Sequence, residues 1–400
     1  VLLWDLNQAS NSPVIFCCHS ESVGYIEFDP TERWVIAADG DGNVILWEIA
    51  DPGGLPLTLS EHKGWVESFS VSSNGEWLAS SGIDGSVWLW NLKELDAEPI
   101  VRDFTDAKPA TDIPDWKVKA QVQFLPNKQQ LVVYVNTDDT VFFWNLVRIE
   151  DEPSTLSAGI PIGAAYLSPN GKWLVISNND APEIRIWEIE HLDVPPRVFR
   201  DLDQWNIRNI SFSPDSSEMV TYSYGDVAQR WDMQNLDKDP IQIWTSNLEV
   251  INFVAYSPNG RWVAYGMDDY TKDYGIELYA RDETNTVPII LHSKGGGLKK
   301  IAFSNDGRWL AALDASTTIR LWDTNRINTQ PYALQGHEGK IWSMDFSSDG
   351  HWLASGSGDV TARLWDFHDP QRRHLVLHGH QDRVSAVIFH PDGERLITGS

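Results

Sequence analysis

A tryptophan followed by an acidic or amide residue closes one short strand-like run after another, and this recurrence constrains the fold more than any other feature. The pairs are Trp4-Asp5, Trp47-Glu48, Trp90-Asn91, Trp144-Asn145, Trp187-Glu188, Trp231-Asp232, Trp322-Asp323 and Trp365-Asp366, with Tyr279 in the tryptophan place of a ninth. Successive spacings are 43, 43, 54, 43, 44, 48, 43 and 43 residues. Self-similarity at a period of roughly 20–50 residues marks a repeat architecture in which one supersecondary unit stacks on its copies. The clearest copy, residues 336–366, is GHEGKIWSMDFSSDGHWLASGSGDVTARLWD. It reads as three alternating strands, IWSMDF, HWLAS and TARLWD, separated by the turn clusters SSDG and GSGD.

Gly-His, then an FSSDG turn, then LASGS, then LWD: this order resembles the WD-repeat β-propeller family, and the resemblance covers essentially all 400 residues. It implies an all-β fold of nine four-stranded blades over residues 1–400, with strands a to d in each blade and the Trp-Asp pair closing strand c. The chain opens on strands c and d (VLLWDL, PVIFCCHS) and finishes on strands a and b (VSAVIFH, ERLITGS), so its ends are complementary halves of one blade. Closure removes the unpaired sheet edge that an open array would expose, which favours a single ring of nine. The alternative is parts of two rings, one of them seven-bladed, with a seam at 103–117. The chain starts at Val1 without a methionine and reads as a trimmed or processed piece.

Two insertions break the period. The stretch 103–117, DFTDAKPATDIPDWK, reads as a surface loop, and 268–275, DDYTKDYG, as an enlarged turn between two strands. Residues 39–43, DGDGN, imitate the start of a calcium loop but lack the glutamate at position twelve, so a hairpin turn is expected. Residues 293–300, SKGGGLKK, fail the spacing of a phosphate loop.

Charge and cysteine content exclude several functions. The formal net charge is −26 and no basic run occurs, which argues against nucleic acid and against anionic membrane surfaces. No run of eighteen apolar residues suggests a transmembrane helix. The two cysteines, Cys17 and Cys18, are adjacent, a poor geometry for a disulfide and too few for a tetrahedral zinc site. A reducing, cytoplasmic compartment follows as the expectation.

The constellation that invites a catalytic reading is serine, histidine and aspartate. His62, Ser80, Asp84 and Trp90 form one set, and His337, Ser355, Asp359 and Trp365 repeat it at identical spacing. A hydrolase triad occurs once; this set recurs, and His380 with Thr398 begins a further copy. The WD-repeat resemblance implies a hydrogen-bonded tetrad that joins the strands of one blade. His19, Asp41 and Trp47 match it with Ala37 in the serine place, whereas Gly159, Asp203 and Lys294 stand where histidine would be. No GxSxG, HExxH or GxGxxG motif is present, and no metal or cofactor is implied.

By the same resemblance, the second residue of strand a lies near the channel mouth. Those residues read Gly24, Glu67, Ala120, Gly163, Arg208, Asn252, Lys299, Trp342 and Ser385, one carboxylate and no histidine. A metal-dependent propeller enzyme, the alternative class, needs several converging ligands there. The leading expectation is a non-catalytic scaffold or sensor platform that binds a protein or peptide partner. Trp342, Arg208 and Lys299 are its anchors and Glu67 a lone acidic group, so an acidic or aromatic segment fits better than a basic one. Trp-rich repeats with NGKWL-type turns also look similar to those of prokaryotic multidomain signalling proteins, which implies a sensor part of a larger protein. The sequence does not indicate an oligomeric state.

Overall fold

β-Branched and aromatic residues at alternate positions, cut by Ser-Pro-Asn-Gly and Asp-Gly turns, produce nine antiparallel sheets of four strands each. The computed structural model describes residues 1–7, 13–16, 23–104, 120–126, 128–136, 138–178, 181–200, 207–223, 227–244, 250–268, 273–281, 288–294, 297–327, 329–367 and 374–400. Cys17, Cys18, His19, Asp203 and most of the 103–117 loop lie outside these residues. The side chains of Arg208 and Lys294 are likewise not described.

In chain order the first blade spans 23–59, the second 66–103, the third 120–157 and the fourth 164–199. The fifth spans 207–244, the sixth 250–294, the seventh 298–335 and the eighth 341–378. The ninth joins Ala386–Phe389 and Arg395–Gly399 to Leu2–Asp5 and Val14–Ile15. The architecture is an all-β propeller of nine blades with almost no helix. Two compact units divide it: Cys18–Ile207 carries four blades, and Val1–Cys17 with Arg208–Ser400 carries five.

One register serves the blades. The tryptophan that opens strand b pairs with the residue after the strand-c tryptophan, as in Trp77↔Asn91, Trp309↔Asp323 and Trp352↔Asp366. A slip of one residue would turn the buried Leu353 and Trp365 outward, so burial pins the register. Core clusters form where one blade packs on the next: Trp309, Leu321, Leu353, Trp365 and Phe367 make up much of the layer between the seventh and eighth. Burying each such side chain stabilises the layer by about 1.5–3 kcal/mol.

The a–b turn is closed by a buried serine. Ser168 Oγ donates to Asn170 Oδ1 at 2.8 Å and accepts the Trp173 N–H at 2.9 Å, and Ser257 repeats this with Asn259 and Trp262. The turn then needs a positive φ, which Gly171 (φ 68), Gly260 (φ 70) and Gly307 (φ 70) supply without strain. Glu32 (φ 60) and Ser216 (φ 58) take the same position in the first and fifth blades.

The chain ends meet as their strand types imply. Leu2–Asp5 pairs antiparallel with Arg395–Gly399 in the register Leu2↔Thr398 to Asp5↔Arg395, and Leu2, Leu3 and Trp4 are buried. Residues 39–43 form the expected hairpin turn, with Asp39 Oδ1 accepting the N–H groups of Asp41 and Asn43 at 3.0 Å each. At the 268–275 insertion strand b runs to Asp268 and strand c starts at Asp273, with Asp268↔Tyr274 and Gly275↔His292 paired, so the strands take up both ends of the expected turn, and 269–272 lie outside the described residues.

Candidate functional site

The tetrads assemble as chains of hydrogen bonds across three strands and a loop. In the eighth blade, Trp365 Nε1 donates to Ser355 Oγ at 2.8 Å, and Ser355 Oγ lies 2.8 Å from His337 Nε2. His337 Nδ1 is 2.8 Å from Asp359 Oδ2, which also accepts the Glu338 N–H at 2.9 Å. A carboxylate only accepts, so the proton sits on Nδ1, and Nε2 accepts a hydrogen bond from the serine hydroxyl. Burial pushes the His337 imidazole below its ordinary pKa, against the pull of Asp359, so the ring is neutral. Burial alone would raise Asp359, but hydrogen bonds from Thr361, the Glu338 N–H and His337 together hold it well below the carboxylate range.

The second blade carries a looser copy. His62 Nε2 lies 2.9 Å from Ser80 Oγ, Trp90 Nε1 donates to that oxygen at 3.3 Å, and His62 Nδ1 is 3.3 Å from Asp84 Oδ1. The ninth blade builds a third from both chain ends: Trp4 Nε1 donates to Thr398 Oγ1 at 2.9 Å, and His380 Nε2 lies 2.6 Å from the same oxygen. In the fifth, among the described residues, Trp231 Nε1 donates to Thr221 Oγ1 at 3.1 Å. Ser80, Ser355 and Thr398 are 0 % exposed, and each hydroxyl is engaged by a histidine and an indole. A hydroxyl so enclosed cannot meet a substrate carbonyl, which a nucleophile must do.

The channel-mouth residues have a shared backbone feature that the sequence did not reveal. Strand a steps in register against strand b at Val23/Tyr25, Val66/Ser68, Ile251/Phe253, Leu298/Lys300 and Ile341/Ser343. The residue stepped over is Gly24, Glu67, Lys299 or Trp342, the second residue of its strand, or Asn252, the third of Val250–Tyr256. A bulge leaves its extra residue out of the ladder and re-aims its side chain. Three of the expected second residues depart from this pattern: Gly163 and Ser385 immediately precede the strands Ala164–Leu167 and Ala386–Phe389, and Ala120 is the first residue of its strand. Of these, Ala120 is set apart by its burial. It is 1 % exposed with its carbonyl accepting Ser81 Oγ at 2.9 Å, so it belongs to the core and not to a mouth.

Within the four-blade unit, Glu67 is half-buried. Within the five-blade unit, Lys299 is exposed and Arg208 lies on the strand Ile207–Phe212. Trp342 is 44 % exposed, a large area for an indole in a protein that buries most of its tryptophans. Lys340 Nζ stands 4.3 Å from its ring centroid and Arg383 Cζ 5.0 Å, so two cations flank the indole. Neither Lys340 nor Arg383 was singled out from sequence. Both occupy the place just before strand a, and that shared position is the signal that could have found them. Among the described residues no three His, Cys, Asp or Glu side chains gather as metal ligands, and His380 of the His378-Gly379-His380 run is engaged by Thr398 and Ser400.

Nine four-stranded blades, laced by recurrent tryptophan-centred tetrads, define a repeat propeller that presents its variable side chains at strand-a bulges and loops. The family model of the WD domain, G-beta repeat, matches residues 11–48, 53–91, 287–323, 328–366 and 371–400. Five matched repeats on a propeller of nine blades are consistent with the WD-repeat family. No curated protein matches it. The stretch between the second and third matches holds the third to sixth blades, where no complete tetrad forms among the described residues.

Proposed function

We propose that this protein is a non-catalytic interaction platform that binds a protein or peptide partner at the strand-a bulges of its five-blade unit. The observation that carries the reading is Trp342, exposed on a bulge and flanked by Lys340 and Arg383 in a chain of net charge −26. Propellers of the WD-repeat kind commonly serve as protein-interaction scaffolds. Strand backbones are paired, so recognition falls to bulges and loops. The ring offers apolar area, and the two cations favour an acidic segment that carries an aromatic side chain. Lys299, exposed at the same strand position in the seventh blade, adds a third positive group. The tetrads act as braces within this platform: each satisfies buried polar groups of one blade and holds its strands in register. Placement as the sensor part of a larger cytoplasmic signalling protein agrees with the sparse, adjacent cysteines and with the absence of a helix long and apolar enough to cross a membrane among the described residues.

The test is to recover a partner by native pulldown and titrate it against the parent, Trp342→Ala and Arg383→Glu. The expected result is a loss of about tenfold or more in affinity for each variant, about 1.4 kcal/mol. Affinities within twofold of the parent for both variants would refute the placement.

A further inference from the structure

The fifth and sixth blades depart from the repeat in the residues they place at two buried positions of the sheet. The residue before the strand-c aromatic is Leu46, Leu89, Phe143, Ile186, Leu278, Leu321 or Leu364 in seven blades, each no more than 2 % exposed, and Leu3 in the ninth. In the fifth blade it is Arg230, itself only 7 % exposed. The strand-b tryptophan is also gone there, replaced by Glu218. On the facing sixth blade, Tyr265 replaces the tetrad serine at 0 % exposure, with Tyr256 nearby. The hydroxyls of Tyr256 and Tyr265 are buried without a hydrogen-bond partner among the described residues. The Arg230 charge reaches both phenols, offsetting part of the burial that raises their pKa.

The Arg230 backbone is paired with Val220 and Ile241, but its guanidinium makes no hydrogen bond to any described residue. The carboxylates around it are already taken: Arg281 Nε lies 3.1 Å from Glu218 Oε2, and Arg281 Nη2 lies 2.8 Å from Asp215 Oδ1. A largely buried guanidinium that faces a cavity and finds no protein acceptor among the described residues is costly unless something in that cavity meets it, and natural chains break local rules of this kind mainly at functional sites. Arg230 and Glu218 line a cavity of about 310 Å³, together with Trp231, Ile241, Asp232 and Asp239. That volume sits at the lower end of the range of small-molecule sites, roughly 300–1,000 Å³.

We propose that this cavity binds a small monocarboxylate whose two oxygens accept the paired N–H groups of Arg230. The planar fork of the guanidinium matches a carboxylate bidentately. A dianion such as phosphate would meet Glu218, Asp232 and Asp239 on the same walls, where the second cation, Lys238, is held 3.7 Å from Asp232 Oδ2, whereas a single negative charge is offset by Arg230. Ile241, the cross-strand partner of Arg230 on the same face and 40 % exposed, supplies the apolar wall for a short aliphatic or aromatic tail. The site goes beyond the partner-binding reading and shares no residue with it, so either fails without the other.

The experiment compares thermal unfolding of the parent, Arg230→Leu and Arg230→Lys in propionate, benzoate, phosphate and chloride at matched ionic strength. Arg230→Leu restores the repeat residue, so a melting temperature in chloride equal to or above the parent's is expected. The carboxylates are expected to stabilise the parent saturably, Arg230→Leu not at all, and Arg230→Lys with affinity at least fivefold weaker. Calorimetric titration of the parent with propionate reads the same binding without any variant. The proposal is overturned by the absence of saturable carboxylate binding to the parent, by an equal effect in Arg230→Leu, or by phosphate matching propionate.

Discussion

Asp359→Ala tests whether the tetrads brace the fold. The carboxylate accepts four hydrogen bonds: from His337 Nδ1 at 2.8 Å, the Glu338 N–H at 2.9 Å, the Thr361 N–H at 3.1 Å and Thr361 Oγ1 at 2.6 Å. These losses are unequal. Glu338 is exposed and its N–H regains water, and the Thr361 hydroxyl can rotate toward another acceptor. The His337 ring is 0 % exposed, so its Nδ1–H is stranded. A hydrogen bond to a charged group contributes about 1.5–3 kcal/mol net, and a stranded buried donor costs about 1–3 kcal/mol. The expected loss in urea unfolding is therefore about 2–3 kcal/mol for Asp359→Ala. Asp84→Ala, whose histidine contact is longer at 3.3 Å, should lose about 1 kcal/mol. In a double-mutant cycle, adding His337→Leu to Asp359→Ala removes the stranded donor, so a coupling of about 1–2 kcal/mol should appear. A loss below about 0.5 kcal/mol for Asp359→Ala, or full additivity in the cycle, would refute the reasoning.

Val360 holds φ 60 at the b–c turn, where Gly42 (φ 89) and Gly85 (φ 76) stand in the first two blades. A β-branched residue there carries left-handed strain, so Val360→Gly should raise stability by about 1 kcal/mol, read by urea unfolding, and a decrease would count against the strain. Deleting residues 1–7 removes Leu2, Leu3 and Trp4 from the ninth blade and leaves Thr398 and the Arg395–Gly399 ladder unpaired on that side. A melting temperature unchanged by that deletion would contradict the pairing. Burial holds the His62 and His337 imidazoles below their ordinary pKa and pushes His380 down to about 4. Unfolded histidines protonate near pH ~6.5, so the unfolded state binds more protons between about pH 6.5 and about pH 4, and stability should fall as pH drops through that window. Urea midpoints at about pH 7.5 and about pH 5 check the sign, and His380→Asn should shrink the difference.

The blades were legible because their causes are local. Alternation, turn residues and the tryptophan pairs act within some 43 residues, so each copy could be read without knowing its neighbours. The tetrads were legible for the same reason, since His337, Ser355, Asp359 and Trp365 all belong to one repeat. Even the joining of the ends followed from strand type, because Leu2–Asp5 and Arg395–Gly399 are complementary pieces of that repeat.

What the repeat could not specify is what one blade shows to the next. Trp342 meets Arg383 across two blades, and the repeat aligns Arg383 with Lys340 without showing that both cations close on one indole. The bulges at Glu67, Lys299 and Trp342 are register steps in a ladder, visible only once both strands are in place. Arg230 could be read as a departure from leucine, but not as a guanidinium without an acceptor. That depends on Arg281 having taken Glu218 and on Tyr265 filling the facing blade. The periodic part of the chain determines the scaffold by itself, since burial of alternate residues admits one register. The exceptions acquire meaning only from packing, because a charge or an exposed ring is favourable or costly according to the atoms the fold brings beside it.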